Sequence, residues 1–275
     1  MIGHRTRRLF AVIAAVIGLI YLIPLAWILV TSLKTNDEIL RAPNSLIFKP
    51  TLETYANVIG SGVGAILTSI QIAVLVTAVV LIIGVPAAYA LGRKINATWS
   101  RVIAVFLGSL LVLQMIPQPM TVIPLYSVLA RWHLLGNLGG LILTDIALLL
   151  PFAVMLLRPF VLAIPSVLYE AAEIDGASRL RSFWSIAVPM LSNGMFTVMS
   201  VIFITAWGEF VYAINFLPQG VVLPVSGLLA SQNTTYAANW NSLMALAVLT
   251  SLPLLVVFVI SQRRLINGLS LGAVK

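Results

Sequence analysis

Between two long apolar blocks, the stretch Ile164–Pro189, IPSVLYEAAEIDGASRLRSFWSIAVP, gathers acids, bases, glycine and small residues. Glu170, Glu173 and Asp175 precede Gly176, and Arg179 and Arg181 follow it. The chemistry this pattern suits is recognition: a polar island in so apolar a chain is where a partner grips the rest. Pro165 and Ser166 predict a helix start, with Ser166 free to cap N–H groups and Glu170 and Glu173 matched to the positive end of the dipole. Gly176 predicts a stop or bend. A second, basic and amphipathic helix is expected over Ala177–Ile186, so that the two pieces lie along a membrane surface.

Two further acids, Asp145 and Glu209, fall inside apolar runs, and an intramembrane acid is a functional hypothesis by default. Three roles compete for them: a proton relay, a substrate hydrogen-bond site, or structural pairing. The runs offer no Lys, Arg or His partner, which thins the relay reading. Gln114, Gln118, Asn193 and Asn215 could hydrogen-bond a polar solute or tie helices together. Gln114, Gln118, Asp145 and Glu209 are taken as candidates for a translocation path. His4 and His133 have no neighbours at metal-ligand spacing, so no metal site is expected. There is no cysteine and no G-x-x-x-x-G-K-[ST]. The Gly60-Ser61-Gly62-Val63-Gly64 run lacks the lysine and reads as a flexible approach to a span. No cofactor is expected on this chain.

The elements that must carry these residues are membrane spans. Of 275 residues 60% are hydrophobic and 9% charged, against about 25% charged in soluble domains, and the mean hydropathy is +1.07. This predicts an all-α polytopic membrane protein with one transmembrane domain over 1–275 and no separate catalytic domain. Six spans are expected at about 9–33, 65–91, 102–130, 139–157, 188–214 and 241–260, since each takes ~20 residues. The first is too long for a secretory h-region. Lys34–Gly64 is expected as an external loop. Pro117, Pro119 and Pro124 predict a broken third span facing protein or a water-filled cavity.

The net charge of +8 could suggest nucleic acid, but the bases cluster beside apolar segments as membrane orientation requires. Arg5, Arg7, Arg8, Arg93, Lys94, Arg101, Arg158, Arg179, Arg181, Arg263, Arg264 and Lys275 fall inside, whereas Lys34, Arg41, Lys49 and Arg131 fall outside. Twelve against four places both termini and the 164–189 island on the cytoplasmic side.

Within the island, Glu170-Ala171-Ala172, then Gly176, then Ile186 and Pro189 fit the pattern E-A-A, three residues, G, nine residues, I-x-L-P, with Val188 where leucine is usual. This resembles the inner-membrane permease subunits of binding-protein-dependent ABC importers. Leu157-Arg158-Pro159-Phe160, Ala206-Trp207-Gly208-Glu209-Phe210 and Gly268-Leu269-Ser270-Leu271-Gly272-Ala273-Val274-Lys275 look like the carbohydrate branch, more narrowly the maltose-transporter second permease.

The resemblance implies that the island's helix is a coupling helix seated in a cleft of an ATP-binding subunit. Ala171 and Ala172 would admit a close backbone, Leu168 and Ile174 would give apolar contact, and Glu170, Asp175 and Gly176 complete the knob. It further implies a homologous second permease, two ATPases, an extracytoplasmic solute-binding protein, a bacterial-type inner membrane and alternating access for a sugar-like solute. The chief rival is an ATP-independent secondary transporter or channel, and a non-transporting scaffold is a third.

Overall fold

The computed structural model describes residues 4–92, 97–218, 223–232 and 239–273, with side chains between residues 9 and 262. Arg93, Lys94 and Lys275 lie outside the described residues, as do the side chains of Arg5, Arg7, Arg8, Arg263 and Arg264. All secondary structure among the described residues is helical. Five helices are long and apolar enough to cross a membrane, six if the bent pair Arg179–Met190 and Ser192–Trp207 is one span. That is the expected class, a polytopic helical membrane protein. The chain divides into two compact units, Met1–Gly64 with Leu228–Leu252, and Ala65–Gly227 with Pro253–Lys275.

In the first unit, the helix His4–Ser32 leads into a folded connection. Thr51 N–H returns to donate to the Leu33 carbonyl at 2.9 Å. A short helix Asn36–Arg41 opens on a capping box in which Thr35 and Glu38 satisfy each other's backbone N–H. Part of the expected Lys34–Gly64 loop is helical, because the helix Glu53–Gly92 begins eleven residues before Gly64 and contains the whole Gly60–Gly64 run. Glycine is tolerated there because a helix satisfies its own backbone in lipid, and a missing side chain lets a neighbour approach. A Cβ on Gly62 would lie 3.2 Å from Leu246 Cδ2. Val58, Ala245 and Leu246 form the buried centre of this unit.

In the second unit, one face of Glu53–Gly92 is a stripe of small and β-branched residues, Ala65, Ser69, Ala73, Val76, Val80 and Ala88, each 2% exposed or less. Their spacing of three, four or eight residues is the helix repeat, so one face packs. Ser69 Oγ accepts from Val225 N–H at 2.9 Å. The third apolar block is broken as its prolines predict: Ala97–Gln114 ends and Gln118–Arg131 begins, with Pro117 at the cap position. Leu138–Leu162 follows, capped by the Asn137 side chain, and its buried face runs through Leu141, Asp145, Val154, Leu157 and Val161.

The fifth span departs from a single helix over 188–214. A helix starts at Arg179, passes through a π turn at Phe183–Ala187, and reaches Met190. It then bends by 71° before Ser192–Trp207. Pro189, which has no N–H to give the preceding turn, accounts for the widened turn and bend. A second break at Gly208–Phe210 precedes Val211–Phe216. The last helix runs Trp240–Ala273, past the expected end near Ile260.

Candidate functional site

Helix Ser166–Ile174 buries none of its residues. Pro165, not Ser166, occupies the cap position, and no side chain caps that end. The first turn is closed by backbone instead, Leu168 N–H to the Pro165 carbonyl at 3.2 Å. The other end is a Schellman turn: Ala177 N–H donates to the Ala172 carbonyl at 2.8 Å and Gly176 N–H to that of Glu173 at 3.1 Å. Gly176 adopts φ +73°, the left-handed region, with open space where a Cβ would stand. Its requirement is conformational rather than steric.

Ser178 then caps the next helix through Arg181 N–H. That helix begins at Arg179 instead of Ala177 and belongs to the bent fifth span. The island is thus one free-standing helix, a glycine turn, and the start of a span.

Tyr169 fixes one side of the helix, its ring centroid 6.1 Å from that of Tyr89, which in turn lies 5.1 Å from Phe183. On the open side Leu168, Glu170, Ala171, Ile174, Asp175 and Gly176 are exposed and Ala172 is half-buried. Ile174 is 87% exposed, far more than a helix at rest against its own chain leaves an isoleucine. A cavity of about 180 Å³ joins Ala172 and Asp175 to Arg181 and Ile186.

Three of the four path candidates line one cavity, and the fourth bonds a residue of its wall. Gln114 ties two helices, donating from Nε2 to the Leu148 carbonyl at 2.8 Å. Gln118, Asp145 and Glu209 line one cavity of about 200 Å³ with Leu148, Leu149, Thr205, Ala206, Gly208 and Phe210. Glu209 restarts the broken fifth span, its Oε1 accepting Tyr212 N–H and its Oε2 accepting Ala213 N–H, each at 2.8 Å. Asp145 is 2% exposed and its Oδ2 accepts no hydrogen bond. Tyr212, wholly buried, shares a 2.6 Å hydrogen bond with Thr121. Among the described residues no group of three or more His, Asp or Glu is placed to hold a metal.

Lys34 was missed as a structural residue. It is 1% exposed, donates to the Pro43 carbonyl at 2.9 Å, and sits 5.5 Å from the Trp27 ring and 5.3 Å from that of Phe48. Trp27 seven positions earlier, two helical turns away, was the available signal.

The fold is that of a polytopic helical membrane protein. Residues 81–270 match the family described as binding-protein-dependent transport system inner membrane component, and the chain belongs to it. It is 34% identical over 259 residues, 92% of this chain and 89% of the other, to the sulfoquinovosyl glycerol transport system permease protein SmoH of Agrobacterium fabrum. To the trehalose/maltose transport system permease protein MalG of Thermococcus litoralis it is 30% identical over 276 residues, 98% of this chain and 97% of the other. A chain in the crystal structure of a bacterial ABC transporter involved in the import of the acidic polysaccharide alginate has the same fold, with a TM-score of 0.76 at 20% identity over 96% of this chain and 99% of that one. This chain is accordingly an ABC-transporter permease, a multi-pass transport subunit.

Proposed function

We propose that the chain is one half of the membrane pathway of an ATP-driven importer for a sugar or sugar-like solute in a cytoplasmic membrane. A homologous permease pairs with it, two ATPase subunits bind ATP and Mg below, and an extracytoplasmic binding protein delivers the solute. Ser166–Ile174 is the coupling helix: it sits in the ATPase and carries the closing of that subunit to the fifth span through Gly176.

The observation that supports this most is the helix itself, amphipathic yet with no residue buried, with Tyr169 against the Tyr89 ring and Leu168, Ala171 and Ile174 exposed. A nine-residue helix is too short to persist on propensity alone, so a partner surface is the natural completion of its open face. In alternating access the solute site opens outward when the ATPases close and inward when they part.

The test is Ala171→Trp in the whole complex reconstituted in liposomes. Ala171 is exposed, so the indole meets no neighbour in this chain and the variant folds. Uptake falls at least about tenfold, the equivalent of 1.4 kcal/mol of docking, while the spans keep their thermal stability. Wild-type uptake by this variant would remove the docking assignment.

A further inference from the structure

The cavity at Gln118, Asp145, Thr205 and Glu209 holds two carboxyl groups, and no basic residue lines it. Its other walls are Leu148, Leu149, Ala206, Gly208 and Phe210. The polar groups differ in how far the fold has already satisfied them. Glu209 uses both oxygens on backbone N–H groups at the span break. Thr205 turns its hydroxyl back to the Val201 carbonyl at 2.8 Å. Asp145 is the exception, a carboxyl 98% removed from solvent whose Oδ2 no donor among the described residues reaches.

Buried polar atoms are nearly always paired, and an unpaired one calls for a function or a ligand. Asp145 projects from the middle of Leu138–Leu162 toward a place where Ser192–Trp207 has ended and the backbone is interrupted. Interrupted helices inside a membrane protein are tolerated where they line a cavity. The opening is thus built from irregular backbone and from a buried acceptor left over.

Resting on the importer reading, we propose that this cavity receives a hydrogen-bond-donating group of the transported solute, a hydroxyl or a protonated amine, with Asp145 as the acceptor, and that it turns away anionic sugars. Among the described residues the cavity offers carboxyl oxygens to a donor and no cation to pair with a carboxylate, sulfonate or phosphate group, whose burial there would go uncompensated. Gln118 at the cavity edge can give or accept, which suits a solute presenting several hydroxyls. Selectivity by charge therefore resides partly in this subunit.

The experiment uses the complete transporter in nanodiscs and follows its melting temperature against three probes, methyl α-glucoside, glucosamine and glucuronate. The neutral and cationic sugars raise the melting point saturably, and glucuronate needs at least about a tenfold higher concentration for the same shift. A glucosamine response that exceeds the methyl glucoside response identifies the donor as an amine, and equal responses identify it as a hydroxyl. Asp145→Leu abolishes the response. Should that variant misfold, Asp145→Asn, of the same shape, removes the discrimination against glucuronate. Equal responses to glucuronate and glucosamine in the wild type, no response to any probe, or an unchanged response in both variants would overturn the assignment. ATP-driven uptake is measured on the same preparation: its absence would defeat the importer reading and leave the charge preference readable, whereas uptake with no charge preference would defeat only the cavity.

Discussion

Gly176 and Asp145 stand at opposite ends of what a residue can reveal about itself. The glycine's role is local, since a helix that must end in a 6→1 turn needs left-handed backbone one position past its cap, and glycine adopts it without cost. A side chain there costs about 1–2 kcal/mol, with asparagine the best tolerated. We expect Gly176→Asn to retain most ATP-driven uptake and Gly176→Val to lose it while still folding, because no atom lies within 4 Å of the added Cβ. Uptake by the valine variant equal to that of the asparagine variant would show that the turn geometry is immaterial. The glycine was legible from E-A-A and its spacing because caps are written in neighbouring residues. The cavity was legible only as three separate polar residues, since Gln118, Asp145 and Glu209 meet through packing of distant helices. Gln114, alike in type, bonds the carbonyl of Leu148, a residue of the cavity wall.

At the scale of elements, proline and glycine announced some breaks and concealed others. The interruption before Gln118 follows from Pro117 and Pro119, whose missing donors forbid a continuous helix. The 71° bend before Ser192 was hidden inside a motif read for its spacing. The connection after the first span was taken for loose chain, but it is a built element. Lys34 is enclosed between the Trp27 ring seven positions earlier and the Phe48 ring and Pro43 carbonyl further along, so only Trp27 lay within reach of a helical repeat. Lys34→Met keeps the aliphatic stem and removes the charge, and is expected to destabilise the chain by about 2 kcal/mol, read as a lower midpoint in denaturant titration of the purified protein. An unchanged midpoint would mean that the enclosure is incidental. The adjoining helix Asn36–Arg41 has its own signature. Thr35 N–H, bonded to the Glu38 carboxylate, holds that carboxyl below its ordinary value of 4.5. A depressed carboxyl contributes stability above the unfolded value and loses it as pH falls through the folded one. Loosening of this helix is therefore expected below about pH 4.5, followed by a tryptophan probe at Trp27, and Glu38→Gln should flatten that dependence.

For the whole molecule, membrane orientation is the property on which the functional reading turns, and helix ends bear on it. Arg158 Nε donates to the Leu91 carbonyl at 3.3 Å, a cation at the C-terminal end of Glu53–Gly92, and the Val161 side chain packs against Gly92. The second and fourth spans thus finish together, which two spans separated by an odd one must do in an alternating six-span order. In the topology proposed for the importer, the twelve-to-four distribution of basic residues directs that shared end, and with it Ser166–Ile174, toward the cytoplasm. In the proposed topology the connection holding Ile47, 93% exposed, is extracytoplasmic. The chain contains no cysteine, so single cysteines report position without a background. In right-side-out vesicles a membrane-impermeant maleimide should label Ile47→Cys and spare Ile174→Cys, and in inverted vesicles the pattern should reverse. Bound ATPase should protect Ile174→Cys in the inverted vesicles, and washing it off should restore labelling. Labelling of both positions from one side would end the six-span layout, and with it the argument that another subunit's ATP moves these spans through a helix this chain leaves uncovered.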